Sequence, residues 1–210
     1  MLELARSWVD GWAVSRRVPK PVEMPWGLTV RVGLPAQPVR HVLLGADAGT
    51  ARELVGTVTE PATCIKGFLA PDVMEPWFPP GWEPVDPGFL MAVDLRPSAV
   101  RPPEGYTATA ESAGGVIGVR VRTAVGELAA GGRIGMTDGG CVFDQIVTEA
   151  AHQRLGLGTA VVGALTNAAI EHGASTGVLG ATLQGRALYE TLGWKVLAPL
   201  TGFVYGPVTP

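Results

Sequence analysis

The chain has 210 residues, of which 47% are hydrophobic and 17% charged, as is typical of a folded globular protein with a sizeable core. The net charge of −3 argues against a nucleic-acid partner, and no apolar run is long enough for a membrane span. The opening residues lack the layout of a signal peptide, and the cysteines and histidines are too scattered for a metal site. We therefore expect a cytoplasmic protein without a bound metal.

The first half of the chain predicts short strands and helices in alternation, after an opening segment, 1–25, with no clear period. Residues 96–105 hold three prolines, which stiffen a chain and remove backbone donors. We place a domain boundary there, giving regions 1–100 and 101–210. The predicted elements of the first region are strands at 26–33 and 40–45, a helix at 47–58 with Asp47 as N-cap, a strand at 62–70, one or two helical turns from Pro71, and a strand at 87–95.

The second half predicts a clearer order of elements. A bulge is predicted in its third strand, at Gly131 and Gly132. The order of strands and helices is that of a mixed α/β domain. The predicted elements are strands at 106–112, 115–123, 126–137 and 140–148, a helix at 155–172, a strand at 175–182, a helix at 183–193 and a strand at 194–206.

The two halves also share short segments, at offsets of 112 to 114 residues. An ancient duplication and a chance match of short strands both account for this similarity. The matched pairs are ATCIKG (62–67) with STGVLG (175–180), PGW (80–82) with LGW (192–194), and PGF (87–89) with TGF (201–203).

The segment QRLGLGTAVVG (153–163) lies between a predicted strand and an amphipathic helix. Glycine at a helix start costs about 1 kcal/mol against alanine, so Gly156 and Gly158 need a reason. A helix start exposes unpaired N–H groups and a positive dipole end, and glycine leaves room there for a phosphate. A dinucleotide fingerprint fails because residue 161 is valine, and no Walker lysine follows.

Two motifs together resemble a known family. Gln153-x-x-Gly156-x-Gly158 resembles the Q/R-x-x-G-x-G/A pyrophosphate loop of the GNAT superfamily of acyl-CoA-dependent N-acyltransferases. GRALYETLGW (185–194) resembles that family's A-x-x-L-Y-x-x-x-G-F segment. The resemblance is strongest over 106–206. It implies a GNAT-like α/β fold with a mixed sheet, with the first half as a degenerate GNAT-like copy or an acceptor-side lobe.

The resemblance also implies roles for particular residues. The strand before the loop would bind pantetheine through its backbone, the loop amides would hold the pyrophosphate of acetyl-CoA, and Tyr189 would protonate the leaving thiolate. The implied pantetheine-binding residues are Ile146, Val147 and Thr148. The implied loop residues are Gln153, Arg154, Leu155, Gly156, Leu157, Gly158 and Thr159.

The proton acceptor is sought in the strand CVFDQIVT (141–148). Strict alternation places Asp144, Ile146 and Thr148 on one face, and Gln145 and Val147 on the other with Phe143. A carboxylate in an apolar strand needs a partner or a function. Asp144 is thus either a base or amine binder, or it forms an ion pair with Arg120, Arg122 or Arg133. Glu149 is the second candidate base.

The sequence departs from the family pattern at three places. No proline and acid precede the loop, and Thr182 stands where the family commonly has asparagine. The two helices that usually follow the first strand are missing between Ser112 and Gly115, so the first half is expected to wall the acceptor pocket. Its aromatic side chains, Trp8, Trp12, Trp26 and Trp77, are candidates to line that pocket.

These features predict an N-acetyltransferase that moves an acetyl group from acetyl-CoA to a primary amine of a small molecule or peptide, without a covalent intermediate. Two alternatives stay open: an acyl-CoA-binding regulatory or interaction module without catalysis, and an acetyltransferase acting on peptide N-termini. The family's habits and exposed strand edges make a homodimer a further hypothesis.

Overall fold

A computed structural model describes residues 1–45 and 47–206. The first half comprises α1 (Leu2–Arg16), β1 (Val22–Met24), β2 (Gly27–Leu34), β3 (Gln37–Leu43), α2 (Ala48–Thr57), β4 (Cys64–Gly67), α3 (Pro71–Met74), β5 (Trp82–Pro84) and β6 (Gly88–Asp94). The second half comprises β7 (Tyr106–Ala113), β8 (Val116–Thr123), β9 (Leu128–Thr137), β10 (Gly140–Thr148), α4 (Leu157–Glu171), β11 (Thr176–Thr182), α5 (Leu183–Thr191) and β12 (Lys195–Tyr205). Turns of 3₁₀ helix lie at Glu75–Trp77 and Ala150–His152.

The strands form a mixed sheet, which confirms the predicted α/β class. Its order is β1-β2-β3-β4-β12-β6-β11-β10-β9-β8-β7, with β5 paired to β12. The pairs β3–β4 and β10–β11 are parallel, and the others are antiparallel. One apolar core lies beneath α4 and α5, a second lies beneath α1 on the opposite face, and a third lies beneath α2 in the first half.

The two halves exchange strands within this sheet. From the first half, β6 is inserted between β11 and β12 of the second half. In return, the end of β12 pairs with β4 over Thr201–Val204 and with β5 over Phe203–Tyr205. A boundary near residue 100 would therefore divide the sequence while leaving the sheet shared.

Two of the three matched pairs of segments occupy equivalent places in the fold. Segments 62–67 and 175–180 supply β4 and β11, and each of these strands runs parallel to the strand before its helix. Segments 87–89 and 201–203 supply the start of β6 and the second part of β12, the two exchanged pieces. This equivalence supports the proposed duplication.

Helix α1 corrects the expectation that residues 1–25 have no regular period. It packs on β9 and β10, on the sheet face opposite α4. Glycines allow this close approach: a Cβ at Gly135 would lie 2.0 Å from the carbonyl oxygen of Gly11, and one at Gly11 would lie 2.4 Å from Val142 Cγ2. The chain's first helix thus covers the sheet face opposite α4.

Candidate active site

The predicted glycine loop forms an open helix start. Helix α4 begins at Leu157, two residues after the predicted start, and its N-cap is Gly156 with a φ of 76°. No side chain caps it, and Gln153 to Gly156 are exposed to solvent. The first amides of a helix lack intrahelical partners and carry its positive dipole end, so this start can hold an anion.

The two glycines of the loop serve different purposes. Gly156 adopts the left-handed region, which other residues reach only with strain, and a Cβ there would meet nothing within 4 Å. A Cβ at Gly158 would instead lie 3.2 Å from Leu188 Cδ2 on α5. Gly156 thus permits the turn, and Gly158 permits the close packing of α4 against α5.

The corresponding helix start in the first half is closed by its own side chain. Asp47 is the N-cap of α2, as predicted, and its carboxylate accepts a hydrogen bond from the Thr50 amide at 2.8 Å. That bond holds the pKa of Asp47 below its usual value. An anionic ligand at α2 would meet a negative charge, whereas the first turn of α4 contains no acidic residue.

Strands β10 and β11 separate next to the loop. Their parallel pairing runs from Gly140 with Thr176 to Phe143 with Leu179 and stops there, although both strands continue. Where the pairing stops, β10 has a bulge, in which Gln145 and Ile146 face the single residue Gly132 of β9. The predicted irregularity is therefore present, but its extra residue lies in β10 rather than in β9.

The bulge corrects the predicted faces of β10. Asp144 points to α1, where it contacts Ser15 and Arg16. Ile146 packs against the core beneath α4, with Phe143. Strict alternation placed Asp144 and Ile146 together, but the extra residue reverses the pattern after Asp144.

The gap between the strands opens into a cleft of about 350 Å³. Side chains from both faces of the sheet line it: Trp8, Trp12 and Arg16 come from α1, and Tyr189 comes from α5. Phe143, Asp144 and Ile146 line it from β10. The expectation that the first half walls this site is consistent with the positions of Trp8 and Trp12, whereas Trp26 lines a separate cavity and Trp77 packs in the first half's core.

Tyr189 lies in this cleft with its ring packed in the core. It is 8% exposed, and its ring meets that of Trp194 at 5.6 Å. Burial, together with the negative charge of Asp144, raises the pKa of Tyr189 to about 12. The phenol is therefore protonated at neutral pH, which is the state a proton donor needs.

Asp144 is held by α1 rather than by the arginines that the sequence suggested. Its two oxygens accept hydrogen bonds from Arg16 Nε at 2.5 Å, Arg16 Nη2 at 3.0 Å and Ser15 Oγ at 2.6 Å. The suggested partners are engaged elsewhere: Arg120 pairs with Glu111, Arg122 donates to Gly126 O, and Arg133 donates to Ser15 O.

The remaining predicted residues divide between the loop and two other cavities. The Thr148 carbonyl accepts a bond from Gln153 Nε2 at 3.4 Å, which ties β10 to the loop. Val147 and Glu149 line a separate cavity of about 460 Å³, away from Tyr189. Thr159 lines a groove of about 570 Å³ along α4.

Lys66 of β4 also lines the cleft and was not anticipated from the sequence. Burial lowers the pKa of Lys66, and the positive charge of Arg40 adds to the effect. No local signal marks Lys66, because only the strand exchange brings the first half's β4 near the second half's gap.

The comparisons with known proteins agree with this geometry. The model of the acetyltransferase (GNAT) family matches residues 73–194, more than half of the chain. The chain belongs to this family, and the resemblance drawn from its motifs is confirmed. No curated protein matches the sequence.

Solved structures show the same fold at low sequence identity. A GCN5-related N-acetyltransferase from Kribbella flavida has a TM-score of 0.70 and 16% identity, covering 98% of this chain and 95% of that one. Another from Sphaerobacter thermophilus has a TM-score of 0.61 and 14% identity, covering 91% and 78%. A tandem GNAT protein from the clavulanic acid biosynthesis pathway has a TM-score of 0.55 and 13% identity, covering 77% and 68%.

The described residues, 1–45 and 47–206, lack two further features. None of their helices combines the length and apolarity needed to cross a membrane. Within the same residues, no three histidine, cysteine or acidic side chains are grouped to hold a metal ion.

Proposed function

We propose that this protein transfers an acetyl group from acetyl-CoA to a primary amine of a small molecule or peptide, by direct attack of the amine. The observation that carries the proposal is the open start of α4 beside the gap between β10 and β11. Family membership supports acyl transfer in general. A buried, protonated phenol on the same gap supports a reaction whose leaving group needs a proton.

The residues present fit the polar parts of acetyl-CoA, which would supply the acyl group as an activated thioester. The amides of residues 153–159 would hold the pyrophosphate. The β10 backbone at Ile146, Val147 and Thr148, which has no β11 partner, would bind the pantetheine amides. Because Asp47 closes the start of α2, we propose one such site, in the second half.

We assign proton donation to Tyr189 and a positioning role to Asp144. Tyr189 lines the cleft and holds its proton at neutral pH. Both oxygens of Asp144 are already hydrogen-bonded, so we propose that the attacking amine loses its proton through water. Glu149, at the end of β10, is the alternative proton acceptor.

The competing function is acyl-CoA binding without catalysis. The test measures acetyl-CoA affinity by calorimetry and thiol release against an amine panel, for wild type, Tyr189→Phe and the control Tyr205→Phe. We expect kcat to fall about 100-fold in Tyr189→Phe with unchanged affinity, and Tyr205→Phe to behave like wild type. Tight binding with no acylated amine would support the competing function instead.

The dimer predicted from the sequence stays a proposal. Strand β7 forms one edge of the sheet, and most of its residues are exposed. Unpaired edges of this kind are sites for pairing with another chain. Sedimentation of a monomer at micromolar concentration would refute it.

A further inference from the structure

Two arginine side chains lie against the Trp12 ring, and Lys66 lines the same cleft as Trp12. The guanidinium of Arg40 lies 4.0 Å from the Trp12 ring centroid, and that of Arg16 lies 5.5 Å from it. Lys66 lies close enough to Arg40 for their charges to repel, and it lines the cleft together with Arg16. Arg16 and Lys66 thus bring two cations to the cleft, which the carboxylates Asp86 and Asp144 also line.

These cations outnumber the carboxylates that contact them. Asp144 neutralises Arg16 through a direct ion pair. Arg40 donates to Gln37 Oε1, but its buried Nε has no partner among the residues that the structure describes. Within the described residues, the Lys66 ammonium group has no ion-pair or hydrogen-bond partner.

Other charged groups do not compensate Lys66. Asp86 also lines the cleft, but it is exposed, and within the described residues it forms no ion pair with Lys66. Cys64, which acts to raise the pKa of Lys66, is a buried free thiol. Placing an unpaired cation in a partly buried cleft costs free energy, which an anionic ligand would recover.

The strand exchange positions Lys66 for contact with a ligand. Lys66 pairs with Gly202 of β12, and a Cβ at residue 202 would lie 3.0 Å from Lys66 Cγ and 3.1 Å from its Nζ. The lysine side chain therefore crosses the bare backbone of Gly202. A larger residue at 202 would displace the ammonium group.

We propose that Lys66 binds a carboxylate of the acyl acceptor, so that the preferred acceptor is a primary amine that also carries an acid group and an apolar body. This inference rests on the proposed function. Trp8, Trp12 and Leu200 supply the apolar surface beside Lys66. The first half would thereby determine acceptor choice, while the second half binds acetyl-CoA.

The test compares amines that differ only in a carboxylate: phenylalanine with phenethylamine, leucine with isoamylamine, and 4-aminobutyrate with propylamine. Thiol release is measured at saturating acetyl-CoA with the full chain. The variants are Lys66→Met, which removes the charge at similar length, Lys66→Arg, which keeps it, and Lys20→Met, an exposed lysine elsewhere. Binding of each amine is also measured by calorimetry in the presence of CoA.

We expect kcat/KM to favour the acid-bearing member of at least one pair by tenfold or more. Lys66→Met should raise KM for that member about 10- to 100-fold and leave its uncharged partner unchanged, because a charged hydrogen bond is lost. Lys66→Arg should restore part of the preference, and Lys20→Met should match wild type. Affinity for acetyl-CoA should be the same in all variants.

Two results would overturn the inference. One is acylation without preference for the carboxylate in any pair, which leaves the proposed acetyl transfer intact. The other is a Lys66→Met defect that affects both members equally or weakens acetyl-CoA binding. Lys66-dependent binding of an acid-bearing amine without acylation would instead support the site and refute acetyl transfer.

Discussion

The contact between Asp144 and α1 allows a test of whether this carboxylate has a positioning role or acts as the catalytic base. Asp144 is 11% exposed and accepts three hydrogen bonds from Ser15 and Arg16. Hydrogen bonds to charged groups contribute about 1.5–3 kcal/mol each, but water screens part of this because Arg16 is 32% exposed. Asp144→Asn leaves a partly buried guanidinium without its counter-charge, and we expect the free energy of unfolding to fall by about 2–3 kcal/mol.

Urea unfolding at pH 7 of Asp144→Asn, Arg16→Met and the double variant would measure this contact. We expect a coupling energy of about 1–2 kcal/mol between the two positions. At a temperature where all variants stay folded, kcat should fall by less than about tenfold, since general base catalysis typically contributes at least 100-fold. Wild-type stability combined with a loss of activity of 100-fold or more would refute the reasoning and make Asp144 the base.

Three other predictions concern the loop, the packing of α1 on the sheet and the half-buried His41. Gly156→Ala, at a φ of 76°, should weaken acetyl-CoA binding about tenfold in calorimetry. Gly173→Ala, at a φ of 88° just beyond the other end of α4, should cause the same backbone strain without lowering the affinity for acetyl-CoA. Gly135→Ala should lower the free energy of unfolding by about 3 kcal/mol, because its Cβ would lie 2.0 Å from a carbonyl oxygen of α1. Gly118→Ala is the control, because the nearest contact of its Cβ is 3.9 Å, and it should change the free energy of unfolding by less than about 1 kcal/mol. Equal effects of the two substitutions would contradict the packing argument. Burial lowers the pKa of His41 from 6.5 to about 4, so the unfolded chain takes up a proton first as pH falls through this window. Stability should therefore drop by about 1–2 kcal/mol from pH 6.5 to 4, and His41→Gln should flatten that slope in pH-dependent urea unfolding.

Local sequence patterns predicted most elements but missed α1. Strand alternation and helical spacing located β7 to β12, α4 and α5, because both periods are properties of neighbouring residues. In α1, Gly11 and Ser15 lie on the buried face with Trp8 and Trp12. Small or polar residues at buried positions hide the apolar period, although they are what lets this helix approach the sheet closely.

The open start of α4 could be determined from the sequence alone, because a helix start depends on a few consecutive residues. Membership of the family could be determined in the same way, from two short motifs. The sheet faces on which the β10 side chains lie could not be determined from the sequence, since a single bulge residue reverses them. The cleft could not be determined from the sequence either. In it, Asp144 contacts Ser15, which lies 129 positions away in the chain, and the Lys66 side chain lies across Gly202. Only the exchange of strands between the halves brings these residues together, and pairings between distant strands leave no local period in the sequence.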